Sequence, residues 1–466
     1  MQTDRIGNGF NERACMSHFR QCDRDTPYLL PPSVDEWLPK DHLARFVVDI
    51  VEQLDLWALS GQYRGAGSAA YHPGVLLALL IYGYATGTYS SRRIEQATYE
   101  SLAFRYIAAN THPDHDTLCA FRKRFLREIE HLFVQVLGIA KQMKLLKLGT
   151  VALDGTKVHA NASRHNALSY GHAEKIEAQL QAEVRELLAR AEAADAEPPP
   201  EGLTIPEELA RREVRLKAIG EAKAEIEARA AERFAREQAD YEAKVKAREE
   251  KHRRTGKKPR GAPPAPPTPG PCAEDQVNLT DPDSRIMPAP GGGFEQSYNA
   301  QAAVDTDTML VVATELTQAA NDKQQVAPML QRLGALPEDL GEVTQLLADA
   351  GYFSEANVST CLDAHIDPLL AAGRESHHLP WQKRFSEPPP LAESADAVER
   401  MRHRLKTRGG RALYGKRKHT VEPVFGIIKA VMRFRQFLLR GLEAVRGEWS
   451  LVTMAWNIRR MAVLVG

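Results

Sequence analysis

The chain has 466 residues, which is more than one hydrophobic core usually holds, so two or three domains are expected. Lys plus Arg and Asp plus Glu number 61 each, so the molecule as a whole is not a polycation, although local basic regions remain open. The five cysteines lack zinc-knuckle spacing, the amino terminus lacks a signal-peptide core, and no apolar run reaches the roughly 20 residues of a membrane span. We therefore expect a cytoplasmic protein with reduced thiols and no membrane contact.

Residues 1–145 are predicted to form an all-helical N-terminal domain. Apolar residues recur at helical spacing in DHLARFVVDIVEQLDLWAL and in GVLLALLIYGYAT, and the break GTYSS precedes a further helix, RRIEQATYESLAFRYIAA. Two short helices around a Gly-containing turn outline a helix-turn-helix, the later one opening with Arg92 and Arg93. Many helical cores contain such a pair, so core packing is the alternative to DNA binding by these two arginines.

Residues 172–270 differ in composition from the rest of the chain. Two segments rich in Ala, Glu, Lys, Arg and Leu are separated by PPPEGLTIPEE, which predicts a long helical hairpin inserted into a surrounding domain. The hairpin ends in the basic segment KHRRTGKKPR and a proline-rich linker. That segment is either a solvated tail or an arm that contacts phosphates or a second subunit.

The remaining segments, 146–171 and 271–466, are predicted to form one α/β domain. VALDGTKV precedes the insertion, and SYNAQAAVD, MLVVATELT, TQLLADA and IDPLLAA follow it as further strands. NDKQQVAPMLQRLGAL reads as a capped helix between the third and fourth of these strands. The order strand, insertion, two strands, helix, strand, helix, strand is that of the ribonuclease H-like fold, in which the first and fourth strands lie side by side.

Three acidic residues fall at informative places in this order. Asp154 lies in the first strand and Asp349 ends the fourth, so their side chains are expected to be neighbours. Glu422 opens a late helix, with Lys429 two turns along the same face. Each acid has a structural alternative, because Asp154-Gly155 is a common turn signal, Asp349 could cap a helix, and Glu422 could favour a helix N-terminus.

These residues resemble a known family. The motifs LDGTKVHANAS, DPDSRIM, YNAQAAVD, NDK, LADAGYFS and VEPVFGIIK are similar to those of bacterial insertion-sequence transposases of the DDE type. The resemblance implies a ribonuclease H-like catalytic domain in which Asp154, Asp349 and Glu422 are catalytic and bind Mg²⁺, with Mn²⁺ as a substitute. A related branch has a tyrosine, arginine, glutamate and lysine signature, which Tyr414, Arg417, Glu422 and Lys429 approximate. Arg417 is one residue too far from Glu422 and Lys418 occupies the expected position, so both are kept as DNA-binding candidates beside Tyr414 and Lys429.

The implied partners are transposon ends and target DNA, bound by a homodimer or larger assembly in a bacterial cytoplasm. The implied reaction is cleavage at the 3′ ends of the element, followed by attack of the 3′-hydroxyl on target DNA. Two alternatives remain: a ribonuclease H-like nuclease that cuts without joining, and an inactive DNA-binding regulator derived from a transposase. We also expect end recognition by Arg92 and Arg93 to be separable from catalysis, in which Lys429 takes part.

Overall fold

The computed structural model describes residues 33–63, 70–193, 204–256, 261–289, 291–373 and 386–466. Within these ranges the chain begins with eight helices. Their bounds are α1 Val34–Trp37, α2 Leu43–Glu52, α3 Trp57–Ser60, α4 Pro73–Thr86, α5 Ser91–Glu100, α6 Leu102–Ile107, α7 His115–Arg124 and α8 Leu126–Gln142. The predicted helical character of this region is confirmed for the described residues; residues 1–32 lie outside them.

Helix α4 is the core element of this region and shows why the apolar run from Gly74 is no membrane span. Pro73 occupies its first turn, the side chain of His72 accepts the Gly74 N–H, and Gly87 ends the helix at φ 83°. From Pro73 to Ala85, all but Val75 are buried, because neighbouring helices cover the helix on every side. No described helix is both long and apolar enough to cross a membrane.

A mixed six-stranded sheet follows, with a separate two-stranded ribbon. Strand bounds are β1 Thr150–His159, β2 Ala167–Ser169, β3 Gln276–Asn278, β4 Arg285–Pro288, β5 Phe294–Asp305, β6 Val311–Thr317, β7 Gln345–Ala348 and β8 Asp367–Leu370. Strand β1 pairs antiparallel with β5 on one side and parallel with β7 on the other. Strand β5 pairs antiparallel with β6 and, near its start, with β4, while β7 pairs parallel with β8. The order β6-β5-β1-β7-β8 confirms the predicted ribonuclease H-like arrangement; β4 is an addition that the sequence did not predict.

Two long helices, α9 Tyr170–Ala193 and α10 Ile205–Thr255, stand between β1 and β5 in the chain. Side-chain contacts pair Tyr170 with Glu227, Glu177 with Lys223 and Glu183 with Arg212, so the helices run antiparallel. They enclose a small core of their own with the β2-β3 ribbon, formed by Leu168, Ala173, Leu180, Ile219, Ala222, Ile226 and Val277. Helix α10 ends before residues 257–260 of the basic segment, which lie outside the described residues. The predicted limits of the insertion remain a prediction.

In the described part of the α/β half, six further helices follow: α11 Val326–Gly334, α12 Glu355–Asp363, α13 Ala397–Lys406, α14 Arg408–Gly415, α15 Val421–Ala430 and α16 Leu442–Val465. Helix α16 packs against β6 and also against α2, α4 and α8. Its side chains from Trp449 to Ile458 are buried because β6 and the helices α2, α4 and α8 together cover it. The N-terminal helices and the sheet consequently share one continuous hydrophobic core.

Candidate active site

Asp154 lies inside β1 and not in a turn. The strand runs unbroken from Thr150 to His159, and Asp154 and Gly155 both pair with β5. On the other side, the last parallel pair is Leu153 with Ala348, so the next residue on each strand is Asp154 and Asp349. Since paired residues of neighbouring strands share a sheet face, the two carboxylates come together.

Gly155 is required by the crowded opposite face of β1. A Cβ atom built at this position would lie 2.1 Å from Nε2 of Gln301, 2.6 Å from Oδ1 of Asp322 and 2.9 Å from Oδ1 of Asn299. These distances are far inside van der Waals contact, so any side chain would displace that polar group. The Asp-Gly pair therefore marks a packed polar site and not a hairpin turn.

Glu422 is linked to Asp154 through Arg417. Glu422 is in the first turn of α15, and Arg417 lies in the 3₁₀ turn Lys416–His419 just before it. The guanidinium donates from Nη1 to Oδ2 of Asp154 at 3.2 Å and from Nη2 to Oε1 of Glu422 at 3.0 Å. One buried arginine thus links an acid of the sheet to an acid of the helix.

The environment of Asp154 opposes its negative charge. Burial raises the pKa of its carboxyl to about 6, and the nearby charges of Asp349 and Asp322 act in the same direction. The Gly155 N–H, donated to Oδ1 at 2.8 Å, and Arg417 act against this rise. A cation beside Asp154 would relieve this crowding of carboxylates.

Asp322 is a fourth acid at this site, and the sequence analysis did not assign it. The sequence predicts a capped helix that begins at NDK, but α11 begins only at Val326 and has no side-chain capping bond. Oδ1 of Asp322 instead accepts from Nδ2 of Asn299 at 2.8 Å and Nε2 of Gln301 at 2.7 Å. Gln301 in turn accepts from the hydroxyl of Tyr352, so polar residues of YNAQ and LADAGY meet at Asp322.

The DNA-binding candidates lie at different distances from the acids. Tyr414 is half-buried on α14, close enough to Arg417 to help raise the pKa of its guanidinium, whereas Lys418 is exposed beside Arg417. Lys429 donates from Nζ to the carbonyl of Lys157 on β1 at 2.7 Å, and burial, with Arg435, lowers its pKa. Arg92 and Arg93 are exposed on α5 and, within the described structure, form no hydrogen bond or ion pair with any of the three acids.

The side chains present suit a hard divalent cation in donor type. Carboxylate oxygens are the ligands that magnesium prefers, and Oδ2 of Asp322, Oδ2 of Asp349 and Oε2 of Glu422 accept no hydrogen bond from the described residues. Within the part of the chain that the structure describes, no three His, Cys, Asp or Glu residues are grouped closely enough to bind one ion. The Arg417 guanidinium lies between two of the acids and forms ion pairs with both. Its buried Nε has no hydrogen-bond partner in the described structure. A phosphate oxygen would satisfy that nitrogen.

Two family models match the chain on either side of β1. Residues 32–124 match the transposase domain DUF772, and residues 275–458 match a transposase DDE domain, which includes Asp322, Asp349 and Glu422. No curated protein and no solved structure matches the chain significantly. The matched DDE domain carries a ribonuclease H-like sheet, as observed here, and acts on DNA. With transposase domains matching helices α1 to α7 and the strands from β3 onward, the protein is a DDE-type transposase of an insertion sequence, an enzyme of phosphoryl transfer on DNA.

Proposed function

We propose that this transposase binds the terminal inverted repeats of its element, cuts the 3′ ends and joins the released 3′-hydroxyls to target DNA. The observation that supports the proposal is the buried Arg417, which bridges Asp154 of the sheet and Glu422 of α15, with Asp349 directly after the strand that pairs with Asp154's strand. Both reactions are in-line displacements at phosphorus, by water first and by a 3′-hydroxyl second. One site serves both because only the attacking oxygen differs.

Asp154, Asp349 and Glu422 would hold Mg²⁺, with Mn²⁺ as a substitute. Ions held there would supply positive charge to the attacking and leaving oxygens. Asp154 lies on β1, Asp349 directly follows the neighbouring β7 and accepts the Gly351 N–H, and Glu422 approaches from α15. Their attachment to or beside regular elements favours a precise geometry at the reacting phosphate.

Arg417 has different partners without and with DNA. Without DNA its guanidinium neutralises Asp154 and Glu422. With DNA bound, the same fork would bind two oxygens of the scissile phosphate, since arginine binds phosphate in a bidentate manner. Lys429, placed against β1 three residues beyond Asp154, supplies a further positive charge to the same strand of DNA.

The decisive experiment uses the purified full-length protein and a plasmid carrying the gene with its own flanking DNA. In Mg²⁺ we expect nicks at the element ends and, with a pre-cut 3′-hydroxyl end, joined products. Asp154→Asn, Asp349→Asn and Glu422→Gln should each lower both activities by more than about 100-fold while DNA binding persists, because a directly bound ligand matters more than its outer-shell partners. Asp363→Asn, an exposed acid at the end of α12, is the matched control.

Each alternative function predicts a different result. Cleavage without joining would identify a nuclease, and specific binding without metal-dependent cleavage would identify a regulator. Loss of binding together with cleavage in the three acid variants would assign these residues to folding.

We further propose that two copies act together, because two element ends must be processed; light scattering of the protein bound to end DNA checks this. From the family resemblance we also propose that the protein acts in a bacterial cytoplasm.

A further inference from the structure

The turn between α4 and α5 packs against the segment that follows α15. The hydroxyl of Tyr89 donates to the carbonyl of Met432 at 3.1 Å, and the Phe434 ring meets the rings of Tyr84 and Tyr89. A Cβ atom at Gly87 would lie 3.1 Å from the same Met432 oxygen, so the backbones approach closely. The N-terminal helices thereby touch the catalytic half directly beside the end of β1.

Three arginines gather around this contact. Arg93 on α5 and Arg433 and Arg435 on the segment after α15 are all exposed. Burial raises the pKa of Tyr89, and these three guanidiniums act against that rise; no acidic charge contributes. Within the described ranges, the side chains of Arg93 and Arg433 form no hydrogen bond or ion pair, and the side chain of Arg435 donates only to the Lys429 carbonyl. Like charges are thus concentrated here without a compensating acid.

The backbone holds these arginines in place at some energetic cost. From Met432 to Arg435 buried and exposed residues alternate, which turns Met432 and Phe434 inward and both arginines outward. Arg433 has φ 61°, a left-handed conformation that a non-glycine residue seldom adopts. Its strained backbone is fixed by the Tyr89 bond to the preceding carbonyl.

The same segment leads to the acidic residues. The carbonyl of Arg435 accepts the N–H of His159 at the end of β1, and Gln436 forms a bridge to the same residue. Lys429, whose pKa Arg435 helps to lower, contacts β1 at Lys157. Positive side chains therefore continue from α5 to within three residues of Asp154 along β1.

We propose that Arg93, Arg433 and Arg435, the arginine strip, bind the phosphate backbone of one DNA duplex and guide it from α5 to the catalytic carboxylates. This inference rests on the proposed function and adds a specific DNA path to it. A surface of unpaired guanidiniums matches a regularly spaced polyanion and reads no bases. Arg93 then contributes to sequence-independent affinity, and the N-terminal helices and the catalytic site hold the same duplex.

The test measures binding of the full-length protein to a labelled duplex of random sequence at several KCl concentrations. Arg93→Gln, Arg433→Gln and Arg435→Gln should each weaken binding several-fold and reduce the slope of log affinity against log salt by about one. Lys147→Gln, an exposed charge just before the opposite end of β1, is the control and should leave the slope unchanged. Slopes of the strip variants equal to that of the control would overturn the proposal.

Two variants at position 433 separate DNA binding from folding. Arg433→Lys keeps the charge and should keep most of the slope, whereas Arg433→Gly relaxes the left-handed backbone and removes the charge. The glycine variant should unfold at the same or a higher temperature than the wild type and yet bind DNA more weakly. If that variant bound DNA as strongly as the wild type, the proposed DNA binding by the arginine strip would be wrong.

The outcomes also distinguish this inference from the proposed function. If the wild type cuts and joins DNA but the strip variants behave as Lys147→Gln does, only the strip is wrong. If polyglutamate competes as strongly as DNA at equal charge concentration, the surface fits an acidic protein and the DNA path is wrong. If the wild type neither binds nor cuts DNA, both proposals fail.

Discussion

Arg417 illustrates how a single residue position decides the character of the site. Its guanidinium reaches Asp154 and Glu422 together, while the neighbouring Lys418 faces solvent. Successive residues of a 3₁₀ turn point about 120° apart, so a shift of one residue redirects the side chain completely. The spacing along the sequence favoured Lys418, because it could not include the 3₁₀ turn that precedes α15.

Asp322 gives the residue-scale prediction. Its carboxylate adds negative charge beside Asp154 and Asp349, and its Oδ1 orients two amides of β5. We expect Asp322→Asn to lower metal-dependent cleavage by about 10- to 100-fold, as the loss of an outer-shell partner does. The variant should also show a smaller rise of unfolding temperature on addition of Mn²⁺ than the wild type does, because weaker ion binding stabilises the fold less.

Asp363→Asn serves as the control for the loss of one negative charge. Binding to a DNA duplex of random sequence should be unchanged in both variants, since Asp322 lies among the carboxylates and does not belong to the arginine strip. If Mn²⁺ raised the unfolding temperature of Asp322→Asn as much as that of the wild type, Asp322 would only support the strand.

The sequence predicted the acids on regular elements better than their surroundings. Asp154 and Asp349 could be paired from strand order alone, because parallel neighbours bring equivalent positions together. Asp322 could not, since it lies in a connection between β6 and α11 whose path depends on packing against β5. Two signals pointed to it: the NDK motif itself, and the Asn299 and Gln301 amides, which needed an acceptor on the face of β1 that Gly155 leaves open.

At the scale of elements, hydrophobic pattern identified the five strands of the ribonuclease H-like order but missed β2, β3 and β4. These three have three or four residues each with at most two buried, whereas β7 and β8, equally short, each bury three successive residues and so show as apolar runs. DPDSRIM illustrates a further limit. Asp281 and Asp283 accept the backbone N–H groups of Gly441 and Leu442, so they cap α16 across 160 residues of sequence.

The helical insertion gives the element-scale prediction. Its ends are adjacent, because the Leu279 N–H donates to the Asn166 carbonyl at 3.0 Å, and its core is separate from the main core. Replacing residues 167–278 with a short Gly-Ser linker should therefore shift the unfolding temperature of the remaining protein by less than about 4 °C. Thermal denaturation followed by circular dichroism measures this shift.

A substitution in the main core provides the contrast. Leu347→Ala in the buried strand β7 should destabilise the protein by about 2–5 kcal/mol. Aggregation or loss of cooperative unfolding in the shortened protein would show that the insertion supports the sheet. If the shortened protein keeps full DNA binding and dimerisation, the insertion is a spacer; if it loses either, the insertion is a contact arm.

At the scale of the whole molecule, a buried polar network joins the N-terminal helices to α16. Arg122 on α7 donates to the Tyr84 hydroxyl and to the Tyr89 carbonyl, each at 3.1 Å. The Tyr84 hydroxyl donates to Oε1 of Glu448 at 2.6 Å, and Oε2 accepts two backbone N–H groups from the segment before α16. Tyr84 and Tyr89 of this network also contact the segment that carries Arg433 and Arg435, so the network helps to fix the contact on which the proposed DNA path depends.

Removing the cation of this network gives the last prediction. Arg122→Met should lower the free energy of unfolding by about 3–5 kcal/mol at neutral pH, because Glu448 is then buried without a positive partner. Burial already raises the pKa of Glu448, and losing Arg122, which lowers it, must raise it further. Since the folded state then holds a proton that the unfolded state releases, stability falls as pH rises above the ordinary carboxyl range, so the loss should be smaller at pH 5 than at pH 8. Urea unfolding of the wild type, Arg122→Met and Arg122→Met/Glu448→Gln across that range measures this. A loss independent of pH, or one that the double variant shares in full, would show that Arg122 contributes packing and not charge compensation.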